Sequence, residues 1–463
     1  MKILICGGTL CYSHATFKAD LLVVDEKIVA IGDDLKKHHS FDELIDAHRL
    51  LVFPGGIDPH THMDLPVMGT HSSDDFETGT ISALHGGTTS IIDFANQEKG
   101  GTLNDALDIW KAKASGKAIS DYGFHLTITD LNERTKKEIP AIFKSGITSF
   151  KTFTAYRGSL MIDDKMMGEI MREIKALGGL VTVHAEDADT IEDKIREYKN
   201  AGLLTPKYHA LSHPISAEVK AASRVMDLAY QNESGLYIVH TSAGDTLKAI
   251  QKNFDRRQRV FVETCTQYLL LDDSVYDQPG FESAKYVMSP PIRSIDDCKD
   301  LWYALRAGLV HSVATDHCPF HYKGQKDAGD GDFTKIPNGA PGVENRMELI
   351  YSEGVDKGRI TLEKFVEVTS TYAARIFGMK NKGALDIGKD ADIVLFDPSA
   401  LHTISSSSSK QNVDYNLYEG QTVTGKVITV LRRGKVVVRN GKADQMEKGT
   451  GQFIKRDKFN FSL

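Results

Sequence analysis

The chain has 463 residues, with 56 Lys and Arg against 63 Asp and Glu, a formal charge of −7. Its 41% apolar and 26% charged residues are ordinary for a globular protein and exclude a disordered chain. The mild acidity argues against the basic face that nucleic-acid binding wants, and a core of this size needs no disulfide staples.

The N-terminus reads MKILICGGTL, and its apolar run stops at Gly7, too short for a signal peptide. No run approaches the ~18 apolar residues of a membrane span. The cysteines, Cys6, Cys11, Cys265, Cys298 and Cys318, are odd in number and show no C-x-x-C spacing. A reducing cytoplasm is therefore the expected location. Short β-like runs at 2–6, 20–24 and 27–31 are punctuated by Gly7-Gly8 and Asp25-Glu26, which suits hairpins.

From 53 to 382 the pattern alternates. Apolar strand-like runs fall at 51–57, 88–94, 122–128, 147–153, 180–184, 236–240, 260–263 and 311–316. Helical segments lie between them, among them 74–84, where Asp74 and Glu77 have capping-box spacing, 166–177 and 216–230. Eight such units predict an α/β fold, a (β/α)8 TIM barrel with a parallel sheet buried on both faces. A doubly wound sheet is the alternative. After Gly383 the β-branched runs return, at 392–396, 423–430 and 435–438, with a solvated serine tract at 405–409. The two flanks, 1–52 and 383–463, are read as one small β-sandwich assembled from both termini. The tail GTGQFIKRDKFNFSL either packs across a neighbouring subunit or is frayed.

The chemistry gathers at strand ends. The first run leads into Asp58-Pro59-His60-Thr61-His62, and two histidines at i and i+2 on an extended chain face one side. The fourth run carries Lys151, the fifth ends in His184-Ala185-Glu186, the sixth in His240 and the eighth in Asp316. In a barrel these ends meet at one mouth. A lone histidine there is more often a hydrogen-bonded structural group; the joint pattern is what points to metal. His38, His39, His209, His213 and His402 sit in polar, loop-like stretches and need no role. Four histidines and an aspartate exceed what one open tetrahedral zinc uses, and they suit two metals. Two metals need an anionic bridge. Lys151 as an ammonium has donors only. As a neutral amine, favoured beside two dications, it can take up carbon dioxide to become a bridging carbamate.

These residues sit in strings that are specific: FPGGIDPHTHMD, GGTTSIIDFA, ITSFKTFTAY, VHAE, LYIVHTS, VETCTQYLLLD, KYVMSPPIR, VATDHCPF, GDFTKIPNG and GVENRMELIYSEGV. Over nearly its whole length the chain resembles the dihydropyrimidinase/D-hydantoinase family of cyclic amidohydrolases. The resemblance implies one metal held by His60, His62, carboxylated Lys151 and Asp316, and a second held by Lys151, His184 and His240. It implies two divalent ions per subunit, zinc first with manganese or another ion as alternatives, and carbon dioxide to carboxylate Lys151. It implies Tyr156 as oxyanion donor, and backbone groups of Ser289 and Asn338 holding the ring. Asp316 would be the general base and acid, taking the proton of the attacking hydroxide and passing it to the leaving nitrogen. The expected activity is hydrolysis of 5,6-dihydropyrimidines and 5-substituted hydantoins to N-carbamoyl amino acids. Leu65, Phe153 and Leu160 are candidates for an apolar wall around the ring substituent, or ordinary loop packing.

Other ring-opening amidohydrolases are the rivals. Dihydroorotase usually carries an arginine two residues past H-x-H to bind a substrate carboxylate; here that position is Asp64. Allantoinase is separable by assay. A non-enzymatic scaffold like the collapsin response mediators would have lost metal ligands, which this chain keeps. The expected partner is a small cyclic amide, with no nucleic acid and no membrane. The family also implies a homotetramer, with a dimer as alternative.

Overall fold

A computed structural model describes residues 1–254 and 259–459. Eight strands of the central segment run parallel: β1 Gly56–Thr61, β2 Thr88–Asn96, β3 Asp121–Thr127, β4 Ser149–Phe153, β5 Leu180–His184, β6 Leu236–Ile238, β7 Val260–Cys265 and β8 Ser312–Ala314. Each pairs with the next in chain order. Almost every strand residue is buried, as a sheet covered on both faces requires. The ring closes between β8 and β1. Thr61 bridges His317, and the His62 amide donates to the His317 carbonyl at 2.8 Å. Behind that bridge Thr315 Oγ1 donates to Asp58 at 2.6 Å. The fully buried Arg346 donates to the carbonyls of Ile57 and Val313 at 3.0 and 2.9 Å. β1 is irregular against β2, so these side chains supply donors where ladder pairing is broken. This is the TIM barrel expected above.

The connecting helices form for legible reasons. Asp164–Leu177 begins at Asp163, whose carboxylate accepts from the Met166 amide at 2.8 Å. It buries Met167, Ile170, Met171 and Ile174, one face at i, i+3, i+4 and i+7. It stops at Gly178, where φ is +81° and a side chain would be strained. Ile215–Gln231 packs against β6 in the same way, with Ala221, Ala222, Val225 and Met226 buried.

Strands from both ends of the chain share a second, nine-stranded sheet. Leu51–Pro54 pairs with Lys2–Cys11 on one side and antiparallel with Ile393–Thr403 on the other. Its own apolar cluster joins Ile3, Leu21 and Val52 to Ile393, Leu395 and Leu431. Lys382 clamps this sheet to the barrel. Its ammonium lies 2.6 Å from Asp121 at the start of β3 and from Asp392, and 3.0 Å from Asp390.

Three readings of the sequence need correction. The apolar run at 51–57 is two elements: Leu51–Pro54 belongs to the second sheet, and the barrel strand starts at Gly56. The chain changes sheets at Gly55, where a Cβ would stand 2.1 Å from Thr89 Oγ1. The first barrel helix is Thr78–His85, and Asp74 does not cap it. Asp75 accepts from the Glu77 and Thr78 amides, while Asp74 is buried against His317. The tail is not frayed through residue 459 but packs on its own barrel. Tyr122 and Ile454 bond it to β3, and buried Arg456 donates to Ser149 Oγ and the Phe124 carbonyl beneath the barrel. Residues 460–463 lie outside the described residues.

Candidate metal centre

The C-terminal ends of five strands deliver the six predicted ligands to one place. His60 lies within β1 and His62 just beyond it, Lys151 lies in β4, and His184 is the last residue of β5. His240 and Asp316 each stand two residues past their strands, on backbone with φ of +37° and +53°. Such conformations are uncommon for residues other than glycine and gather where function holds a side chain in place.

The contacts are specific. His60 Nε2 and His62 Nε2 lie 3.1 and 3.0 Å from the same atom, Asp316 Oδ1. His184 Nδ1 lies 2.9 Å from His240 Nε2. Donor atoms of His60, His240 and Asp316 all fall within 4.8 Å of one another. The other nitrogen of His60, Nδ1, is 2.6 Å from Glu263. A carboxylate only accepts, so Nδ1 carries a proton toward Glu263, while Nε2 faces a second carboxylate, Asp316. The space where two imidazole nitrogens converge on one buried carboxylate oxygen suits a divalent cation in place of protons. His62 Nδ1 and His240 Nδ1 are buried with no hydrogen bond. This donor set, imidazoles with a carboxylate, fits a zinc-like divalent ion.

Electrostatics agree. Burial disfavours a charged His60, but Asp316 and Glu263 outweigh it and push the ring up to about 9. Burial would raise Asp316, yet His60 and His62 hold its carboxyl well below the usual range. Burial pulls Lys151 down to about 8, against a smaller pull upward from Asp316 and Glu263. Its ammonium has no carboxylate within 4.0 Å among the described residues and rests over Phe94 and Phe153, 4.8 and 5.0 Å from the ring centres. An amine so placed loses its proton far more readily than a surface lysine.

The predicted substrate residues gather nearby. Tyr156, φ +67°, packs its ring 5.2 Å from His184, with the Ser289 hydroxyl beside its phenol. Burial raises the phenol, so it keeps its proton. Asn338 Nδ2 donates to Ser289 Oγ at 3.3 Å. A cavity of about 300 Å³ opens beside them, lined by Tyr156, Asn338, Ile191, Phe333, His209 and His213. Phe153 stacks on His184 at 5.4 Å. Leu65 is half-buried and packs against the barrel core; Leu160 is half-buried in the turn that the Tyr156 carbonyl closes. Asp64 is engaged by Lys113.

Two histidines set aside above do not stand in polar, exposed surroundings. His209 and His213 are buried, His209 Nε2 bonds the Met288 carbonyl at 2.9 Å, and both line the cavity. Sequence reasoning also gave no role to Glu263, Glu186 and Lys326. Glu186 is wholly buried with neither oxygen hydrogen-bonded, and lies 3.0 Å from His184 Nε2. Burial works to raise it, but His213, His184 and Arg293 together bring it down to about 2. Lys326 joins the two turns that carry Ser289 and Asn338, donating to the Val287 and Pro337 carbonyls at 2.9 and 3.1 Å. The available signal was a charged residue within an otherwise apolar strand, as in VETC. A second acidic group, Asp121, Asp390 and Asp392, could hold an ion by spacing alone, but Lys382 already neutralises it.

Residues 51–437 match the model of the amidohydrolase family. The D-hydantoinase of Geobacillus stearothermophilus is 45% identical over 461 residues, covering 99% of this chain and 97% of the relative. The D-hydantoinase of Ralstonia pickettii is 42% identical over 99% of this chain and all of the relative. The crystal structure of dihydropyrimidinase from Brevibacillus agri NCHU1002 superposes with a TM-score of 0.97 at 46% identity, covering 99% of this chain and 100% of that one.

Proposed function

The chain belongs to the amidohydrolase family and hydrolyses cyclic amides, and from that premise we propose that its substrates are 5,6-dihydropyrimidines and 5-substituted hydantoins, opened to N-carbamoyl amino acids. His60, His62 and Asp316 would hold one divalent cation, and His184 and His240 a second, with Lys151 between them as a carbamate. Zinc is the ion proposed first, manganese next. The observation that supports this reading is the convergence of ligand atoms: two imidazole nitrogens on one Asp316 oxygen, and two more imidazole nitrogens 2.9 Å apart.

Bound cations would supply a water acidified toward neutral pH and a polarised ring carbonyl. The remaining work falls to side chains. The Lys151 amine attacks carbon dioxide: a C–N bond forms, a C=O electron pair moves to oxygen, and the amine proton leaves to solvent. Asp316 accepts the proton of the attacking water and returns it to the ring nitrogen as the amide C–N bond breaks. Tyr156 keeps its proton through burial and donates to the oxyanion. Backbone groups of Ser289 and Asn338 hold the cyclic amide, their turns pinned by Lys326.

All five cysteines are free, and no helix among the described residues is long and apolar enough to cross a membrane. Both agree with a reducing cytoplasm. A homotetramer is the assembly the family resemblance implies, and light scattering of the purified chain reads it directly.

The test is kcat/KM for dihydrouracil, hydantoin, D- and L-5-phenylhydantoin, allantoin and dihydroorotate, on the wild type and on Tyr156→Phe. Dihydrouracil and the hydantoins are expected to open to ureido acids, the last two rings not. Tyr156→Phe is expected to lower kcat by on the order of 10²–10³-fold. Preference for allantoin would overturn the substrate reading. An unchanged kcat in the variant would remove Tyr156 from the chemistry.

A further inference from the structure

Glu263 lies on β7, buried with no exposed surface, and its carboxylate holds groups on β1, on β6 and just past β6. Oε1 takes the His60 Nδ1 proton at 2.6 Å and the His240 backbone amide at 3.0 Å. Oε2 takes the Tyr237 hydroxyl at 2.9 Å, and that hydroxyl lies 2.5 Å from Ser312 Oγ on β8. Burying a carboxylate is costly, and an apolar residue would fill this space with less penalty. What an apolar residue could not do is orient two ligands together.

We propose that Glu263 is a positioning residue for both halves of the metal centre, fixing the ring of His60 and the backbone of His240 with one carboxylate. The first effect is on tautomer. With Nδ1 tied to Glu263, the nitrogen left for a bound ion is Nε2, the one that faces Asp316. The second effect is on backbone. His240 sits at φ +37°, and its amide bond to Glu263 holds that uncommon conformation, which aims Nε2 at His184. Tyr237 and Ser312 in turn stop the carboxylate from rotating. The two proposed ions share a support as well as a bridge. This inference rests on the metal centre proposed above.

Glu263→Gln tests it, because glutamine keeps the size and one acceptor oxygen but loses the charge and the second acceptor. Metal-free wild type and variant are titrated with cobalt(II) in bicarbonate buffer, following stoichiometry, affinity and the visible spectrum. Wild type is expected to bind two ions per chain. The variant is expected to bind cobalt on the order of 10–100-fold more weakly, with an altered spectrum. A merely structural Glu263 would lower the thermal midpoint and leave cobalt affinity and spectrum unmoved; that result in folded variant overturns the inference. Should Glu263→Gln not fold, Tyr237→Phe frees Oε2 and is expected to weaken cobalt binding in the same direction, and unchanged affinity there overturns the inference too. Failure of the wild type to take up cobalt would instead overturn the metal reading, and this inference with it.

Discussion

Lys151→Met is expected to lower kcat by on the order of 10³-fold and to reduce bound metal below two ions per chain. The substitution is chosen for its fit. Lys151 is enclosed and rests against the rings of Phe94 and Phe153, so an unbranched apolar side chain suits the space. What disappears is the amine, and with it the anion proposed to lie between the two ligand sets. Several kcal/mol of transition-state charge stabilisation is the scale of a lost metal function. If Lys151 were only a packing residue, methionine would preserve both turnover and metal content. Metal analysis and kcat on one preparation separate these cases. Wild-type turnover with two ions would refute the bridge.

Asp316→Asn is expected to lower kcat by on the order of 10²–10⁴-fold. Asparagine matches aspartate in size, so the φ of +53° and the barrel closure beside it need not change. It loses the negative charge that His60 and His62 both approach, and it cannot accept a proton from water near neutral pH. Circular dichroism is expected to match the wild type. A variant that keeps its kcat would show that the proton travels through another group, and Glu186, 3.0 Å from His184, would be examined next.

The barrel and its six converging residues were readable in the sequence for one physical reason. Strands covered on both faces must be apolar throughout, so a polar residue at the same end of strand after strand stands out. His60, Lys151, His184, His240 and Asp316 are legible on that ground. Glu263 gave only a lone charge inside an apolar strand, and only the fold reveals that it faces His60. His209 and His213 looked like loop residues because burial by distant segments leaves no local periodicity. The boundary at Gly55 was hidden because two adjacent strands, in different sheets, read as one apolar run. Asp74 shows the converse: a helix-start spacing satisfied by chance, while Asp75 accepts from the Glu77 and Thr78 amides. The tail's path beneath the barrel depends on contacts with residues more than 300 positions away, such as Arg456 with Ser149 and Phe124.

The proposed site holds a pair of cations at the barrel mouth around a carboxylated Lys151. Anomalous diffraction from crystals of active, metal-loaded enzyme measures this directly. Two peaks are predicted, one among His60, His62 and Asp316, the other beside His184 and His240, with continuous density for a carboxylate on Lys151 Nζ reaching both. Peaks away from these side chains, or a bare amine at Lys151 in such crystals, would contradict it.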